Sequence, residues 1–305
     1  MKKDTTMSTL DVTDGFSELG ERFKSILREI RYSLHMIRHS PLTLMGIGIF
    51  LGLLIMAIFA PHIAPYDPEE MNPPILLRPP SLEHFFGTDE GGRDIFSRVV
   101  YGSRISLKVG FIITFLSMTI GTIVGITAGY MGGVVDKVLM RITDVFFAFP
   151  YLVLAMAITA ALGPGITNTM IALSIVWWPL YARITRAQAL RVKELPFIEA
   201  VRSLGAGRLR IIFVHILPNC IDPILVQASI DVGAAIMWCA ALSFIGLGAQ
   251  PPSPEWGAMI TSGSHYLRES WWYATFPGLM ILVVVLGFNL LGDGLRDIFD
   301  PKLRR

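Results

Sequence analysis

Few side chains in this 305-residue chain have the type and spacing that covalent chemistry needs. The six histidines, His35, His39, His62, His84, His215 and His265, are scattered along the sequence, and only His35 and His39 stand four apart. A metal site needs clustered ligands, so no metal site is expected. There is no G-x-x-x-x-G-K-[ST] loop to cradle a nucleotide, and no G-x-S-x-G, H-E-x-x-H or C-x-x-C. Cys220 and Cys239 are too few for a disulfide framework and read as small packing residues. The chain is therefore not expected to be an enzyme.

Three polar constellations remain. The first is Asp231, with Gln227 one turn before it, inside an apolar stretch. A carboxylate at a span's centre costs roughly 2.5–3.5 kcal/mol on insertion scales, so it should face a hydrated path or a partner. A helix–helix hydrogen bond or a buried pair with Lys or Arg would serve equally. The second is Arg93-Asp94 after a Gly-Gly turn. It reads either as a docking surface or as an ion-pair and capping set with Arg98, one turn on. The third is the stretch Arg191 to Pro218. Pro196 suits a helix start, Phe197, Ala200, Val201 and Leu204 form a short apolar stripe, and Gly205 and Gly207 can stop the helix. A second helix then runs to Pro218, giving a rigid helix–turn–helix projection. A plain amphipathic connector fits the same pattern.

The elements that must carry these residues are membrane spans. The chain is 52% hydrophobic and 16% charged, with a mean hydropathy of +0.55; ordinary soluble chains carry roughly 25% charged residues. Six apolar segments are expected: Leu42–Ala60, one within Ile105–Tyr130, Val145–Leu162, roughly Thr167–Ala182, one within Ile221–Leu247, and Tyr273–Leu291. The second carries Gly121, Gly125 and Gly129 at the four-residue spacing that lets helices approach closely. Trp177-Trp178-Pro179 makes the fourth short and kinked. Of the 26 Lys and Arg, 20 fall on the side that receives both termini and the stretches 131–144 and 183–220. The positive-inside rule puts that side, and both termini, in the cytoplasm.

Residues 61–103 are then external. Seven prolines between Pro61 and Pro80 exclude a helix interior there, and a short helix is expected at Ile95–Tyr101. Residues 1–40 read as a polar tail followed by a basic amphipathic helix from Phe16 to Arg38, suited to an anionic membrane surface or to packing on its own protein. The first long apolar run begins near Leu42, too late for a signal peptide. A net charge of +2 does not suggest a nucleic-acid partner.

Glu199-Ala200, then Gly205 six residues after the Glu, then Leu217-Pro218, resemble the EAA-loop signature of ABC importer permeases. Val201 stands where the signature has Ala, and His215 where many members have Ile. From about residue 40 onward the chain is similar to the C-type permease subunit of dipeptide and oligopeptide transporters. That resemblance rests on Ala64-Pro65-Tyr66-Asp67-Pro68, Phe86-Gly87-Thr88-Asp89, Gly92-Arg93-Asp94 with Ser97-Arg98, Gly248 to Pro252, Pro254-Glu255-Trp256-Gly257 and the run Phe288 to Asp297.

The resemblance implies an all-α, six-span permease domain over residues 41–305 of a type I importer in a bacterial plasma (inner) membrane. The partners it implies are a homologous permease, two ABC ATPase subunits that carry ATP and Mg, and an extracytoplasmic substrate-binding protein. This chain itself would bind no cofactor. Glu199, Ala200, Gly205, Leu217 and Pro218 would couple to an ATPase. Gln227 and Asp231 are expected in the translocation path, and Arg93 and Asp94 at the external docking face. A small peptide is the expected cargo; glutathione or nickel, or an ion-coupled secondary transporter, are the alternatives.

Overall fold

The computed structural model describes Arg31 and residues 37–299. The expected amphipathic helix from Phe16 to Arg38 lies almost wholly outside the described residues. Helices dominate, and among the described residues extended pairing is confined to one bridge, Thr88 with Asp94. The helices are α1 (Pro41–Ile58), α2 (Ala60–Ile63), α3 (Ile95–Met131), α4 (Gly133–Phe147), α5 (Tyr151–Leu162), α6 (Ile166–Lys193), α7 (Pro196–Ser203), α8 (Arg208–Arg210), α9 (Ile221–Phe244), α10 (Trp256–Ser264) and α11 (Trp271–Phe299).

Four helical stretches are long and apolar enough to cross a membrane: α1, α3, the segment Arg208–Phe244 that ends in α9, and α11. A fifth exists if α4 and α5 count as one span, but they meet at 89°. The expected third span, Val145–Leu162, is thus not one straight helix. Pro150 has no N–H, disfavours helical backbone at the residue before it and is itself extended at ψ 129°, so α4 stops at Phe147 and the chain turns before α5. The expected fourth span continues as helix without a break through Pro179 to Lys193. It is long enough to span, but Arg183, Arg186, Arg191 and Lys193 make its second half polar, so it falls short of the hydropathy of a span.

The expected short helix Ile95–Tyr101 is continuous with the second span. Asp94 caps it, accepting a hydrogen bond from Ser97 N at 2.7 Å, and 37 residues follow without a break. At about 1.5 Å per residue this helix is about 55 Å long, well beyond the ~30 Å apolar core of a bilayer. Its packing against α6 is the most extensive among the described residues. Gly121 and Gly125 lie against the backbone of Trp178 and Ala182, with no room for a side chain. The spacing read from sequence is thus a helix crossing.

Candidate coupling and translocation sites

α7 opens on Pro196 at its first turn, where a missing N–H costs nothing. Its end is a Schellman turn: Gly205 N donates to Arg202 O, Ala206 N to Val201 O, and Gly205 sits at φ +80°. The stripe Phe197, Ala200 and Leu204 exists as read, but it does not pack on the chain. Ile198 is the fully buried residue of α7, with Val201 half-buried beside it, whereas Phe197 is 40% and Leu204 87% exposed. Glu199, Gly205 and Pro218 are also exposed and Leu217 is half-buried. Phe197, Ala200 and Leu204 thus form an exposed apolar stripe on a two-turn helix.

Two stems hold this projection. α6 leads into it, and Lys193 Nζ donates to Gly129 O at 3.0 Å, satisfying a carbonyl near the end of α3. The returning stem is a π turn, Ile211–Ile216, then a 3₁₀ turn, Leu217–Cys220, before α9. Leu217 N reaches back five residues to Ile212 O. Pro218 and Pro223 cannot donate, so the regular four-residue ladder cannot form across this stretch. Ile211, Ile216 and Cys220 of this stem pack with Val192, Ile198 and Ile224 into one apolar plug under the loop.

Asp231 faces inward at 7% exposure. Gln227 Nε2 donates to its Oδ1 at 2.9 Å, as the one-turn spacing implies. Tyr181 of α6 turns its hydroxyl towards the same carboxylate, yet neither that hydroxyl nor Asp231 Oδ2 completes a hydrogen bond among the described residues. Among those residues Asp231 has no Lys or Arg partner. Tyr181 carries no sequence signal of this role; only the packing of α6 on α9 creates it.

At the opposite end, Arg93 and Asp94 are both buried, at 4% and 3% exposure, so neither side chain itself forms a docking surface. Asp89 organises the turn. Its Oδ1 accepts from Gly91 N and Arg93 N, and its Oδ2 accepts from Arg93 Nε at 2.7 Å. Burial pushes the Asp89 carboxyl above the usual range, and Arg98 and Arg93 oppose that shift. Asp94 pairs with His84 Nδ1 at 2.9 Å and caps α3. The expected Asp94–Arg98 pair is replaced: Arg98 approaches Asp89 and donates to Pro68 O and Pro252 O. That guanidinium pins the loop before α3 to the loop before α10, a contact across more than 150 residues that no local spacing signals. Leu82, Met71 and Phe85 are the most exposed large apolar side chains of this loop.

Among the described residues no group of three His, Cys, Asp or Glu could hold a metal ion.

The family model described as the binding-protein-dependent transport system inner membrane component matches residues 121–305. A second, the N-terminal TM domain of oligopeptide transport permease C, matches residues 30–80. The chain is 47% identical over 267 residues to the probable D,D-dipeptide transport system permease protein of Escherichia coli strain K12, covering 88% of this chain and 90% of that one. It is 45% identical to the dipeptide transport system permease protein of Alkalihalophilus pseudofirmus, over 90% of both chains. The glutathione transport system permease protein of Pectobacterium atrosepticum is 46% identical, over 84% of this chain and 86% of that one. Among solved structures, an inward-facing conformation of the MetNI methionine ABC transporter shares the fold. Its TM-score is 0.53 at 19% identity, covering 68% of this chain and 97% of that one.

Proposed function

Because the chain belongs to the family of inner membrane components of binding-protein-dependent transport systems, we propose that it is one permease half of an ATP-driven importer of small peptides. A homologous permease completes the pathway, two ATPase subunits supply the energy, and an extracytoplasmic binding protein delivers the peptide. The chain lies in the bacterial plasma membrane with both termini and α7 in the cytoplasm. ATP and Mg are held by the ATPases, and this chain needs no cofactor.

The outward stripe of α7 carries the reading. Phe197, Ala200 and Leu204, bordered by Glu199, fit a groove on an ATPase, and the apolar plug beneath them transmits the ATPase's movement to α6 and α9. ATP-driven closure then shifts the permease pair from an inward- to an outward-facing state, the population shift of a two-state transporter. Asp231, held by Gln227, keeps part of the path polar. The external loop built around Asp89, Arg93 and Asp94 receives the binding protein on its exposed edge, Leu82 and Phe85.

Leu204→Asp tests the reading directly. The residue is 87% exposed, so the chain should fold and insert normally. Co-purification of the ATPases and ATP-driven dipeptide uptake should both be lost. Normal uptake with normal ATPase retention in Leu204→Asp would reduce α7 to a connector.

A further inference from the structure

At the end of the bundle that carries α7, α9 and α11 line a cleft of about 360 Å³, which also reaches Gln227, the residue that holds Asp231. Its size lies within the roughly 300–1,000 Å³ of small-molecule sites. Asp222 contributes a carboxylate from the first turn of α9, and Arg296 a guanidinium from the last turns of α11. Among the described residues these two charges form no ion pair with each other and no hydrogen bond or ion pair with anything else. Val226, Ile230 and Phe299 add apolar walls to the same cleft, and Gln227 adds an amide. The Gln227 nitrogen is engaged by Asp231, which leaves its oxygen as the acceptor available to a ligand.

Two opposite charges that share one cleft without closing on each other match a molecule that carries both charges apart. We infer that this cleft is a release subsite for zwitterionic small peptides. The peptide's terminal carboxylate is taken by Arg296 in the planar two-pronged geometry that guanidinium favours. Its ammonium group is taken by Asp222, and a peptide N–H by the Gln227 oxygen. The walls are apolar and open rather than shaped to one side chain, so they accept varied residues. Both charges are exposed, so water screens the contacts and the subsite binds weakly, as a release station must.

The inference rests on the importer reading, and one experiment separates the two. The full complex is reconstituted in proteoliposomes with the ATPase side facing the lumen. The lumen is loaded with Ala-Ala, N-acetyl-Ala-Ala or Ala-Ala-amide, and initial uptake of labelled Ala-Ala is measured. Luminal Ala-Ala should slow uptake, and each blocked form should need about two- to fivefold higher concentration, the scale of one solvent-exposed ion pair. Arg296→Gln should erase the difference between Ala-Ala and its amide, and Asp222→Asn that between Ala-Ala and its acetylated form. Each variant's inhibition is scaled to that variant's own uptake into empty vesicles. Equal inhibition, or none, by all three peptides in the unmodified complex overturns the subsite while leaving the importer intact. Absence of ATP-driven uptake in the unmodified complex overturns the importer reading itself. The unmodified arm decides even where a variant fails to assemble.

Discussion

Arg186 of α6 grips Asp136 of α4 with two nitrogens, Nε on one carboxylate oxygen and Nη2 on the other at 2.6 Å. A second pair, Arg183 with Asp144 at 2.9 Å, lies further along the same two helices, with the Arg183 guanidinium 4.0 Å from the centre of the Phe147 ring. α4 is therefore tied to α6, the helix that leads into α7. Both partners of the first pair are partly exposed, so its net worth is about 1 kcal/mol. A double-mutant cycle with Arg186→Gln and Asp136→Asn should return that coupling in thermal unfolding of the detergent-solubilised complex. Additive effects would mean that the pair holds nothing together.

Gly205 has open space around it and a positive φ. Substitution there is strained by the backbone alone, because nothing would collide with a Cβ. Gly205→Asn, which tolerates the left-handed region, should keep ATPase binding, while Gly205→Val should lose most of it at unchanged membrane abundance. Equal retention by both variants would mean that the Schellman turn is dispensable.

Asp231→Asn preserves an acceptor for Gln227 and removes the charge. It should leave assembly intact and raise the KM for cationic and zwitterionic peptides by about tenfold, the scale of one charged hydrogen bond. Tyr181→Phe removes a hydroxyl that bonds nothing among the described residues, so thermal stability should change by less than about 1 kcal/mol. Unchanged uptake in Asp231→Asn, with loss of subunit association in Asp231→Ala, would assign the residue to packing.

Arg93→Ala would leave Asp89 buried with one remaining cation. Breaking such a pair costs about 3–5 kcal/mol, so limited proteolysis should cut within residues 66–92. Leu82→Ala should leave the loop resistant and lower binding-protein-stimulated ATP hydrolysis. Proteolytic resistance of Arg93→Ala would show that the loop does not depend on this pair.

Glu255 is buried and caps α10, accepting from Gly257 N and Ala258 N at 2.9 Å each. Burial raises its carboxyl above the ordinary value despite those bonds. The native state therefore holds the proton to higher pH than the unfolded chain does. The resulting stabilisation is complete below the unfolded value and is lost as pH rises through the native one. Amide exchange in residues 256–264 should accelerate as pH climbs through that window, after correction for intrinsic rates, and Glu255→Gln should flatten the profile. A flat profile in the unmodified chain would contradict the shift.

Much of the architecture was legible because lipid imposes a simple rule. A chain that must satisfy its backbone without water shows its spans as apolar runs, and α1, α3, α9 and α11 follow that rule. Pro196, Gly205 and the stripe of α7 also act locally, within one or two turns, so the shape of the loop around α7 could be read before its placement. The side on which that stripe lies could not. Whether Phe197 and Leu204 turn in or out depends on Ile198 meeting Ile211 and Ile216, residues that arrive from the other stem. The same holds for α4, whose charged residues looked like a loop until Arg186 and Arg183, about 40 to 50 positions away, supplied their partners. Arg93 and Asp94 stand in a turn that any local reading leaves at the surface; Asp89 and His84 draw them inside. Side-chain type and spacing determined which helices form and where they are capped. Only the tertiary packing decided which charges meet, because ion pairs and buried hydrogen bonds depend on distance in space, and distance along the chain does not measure it.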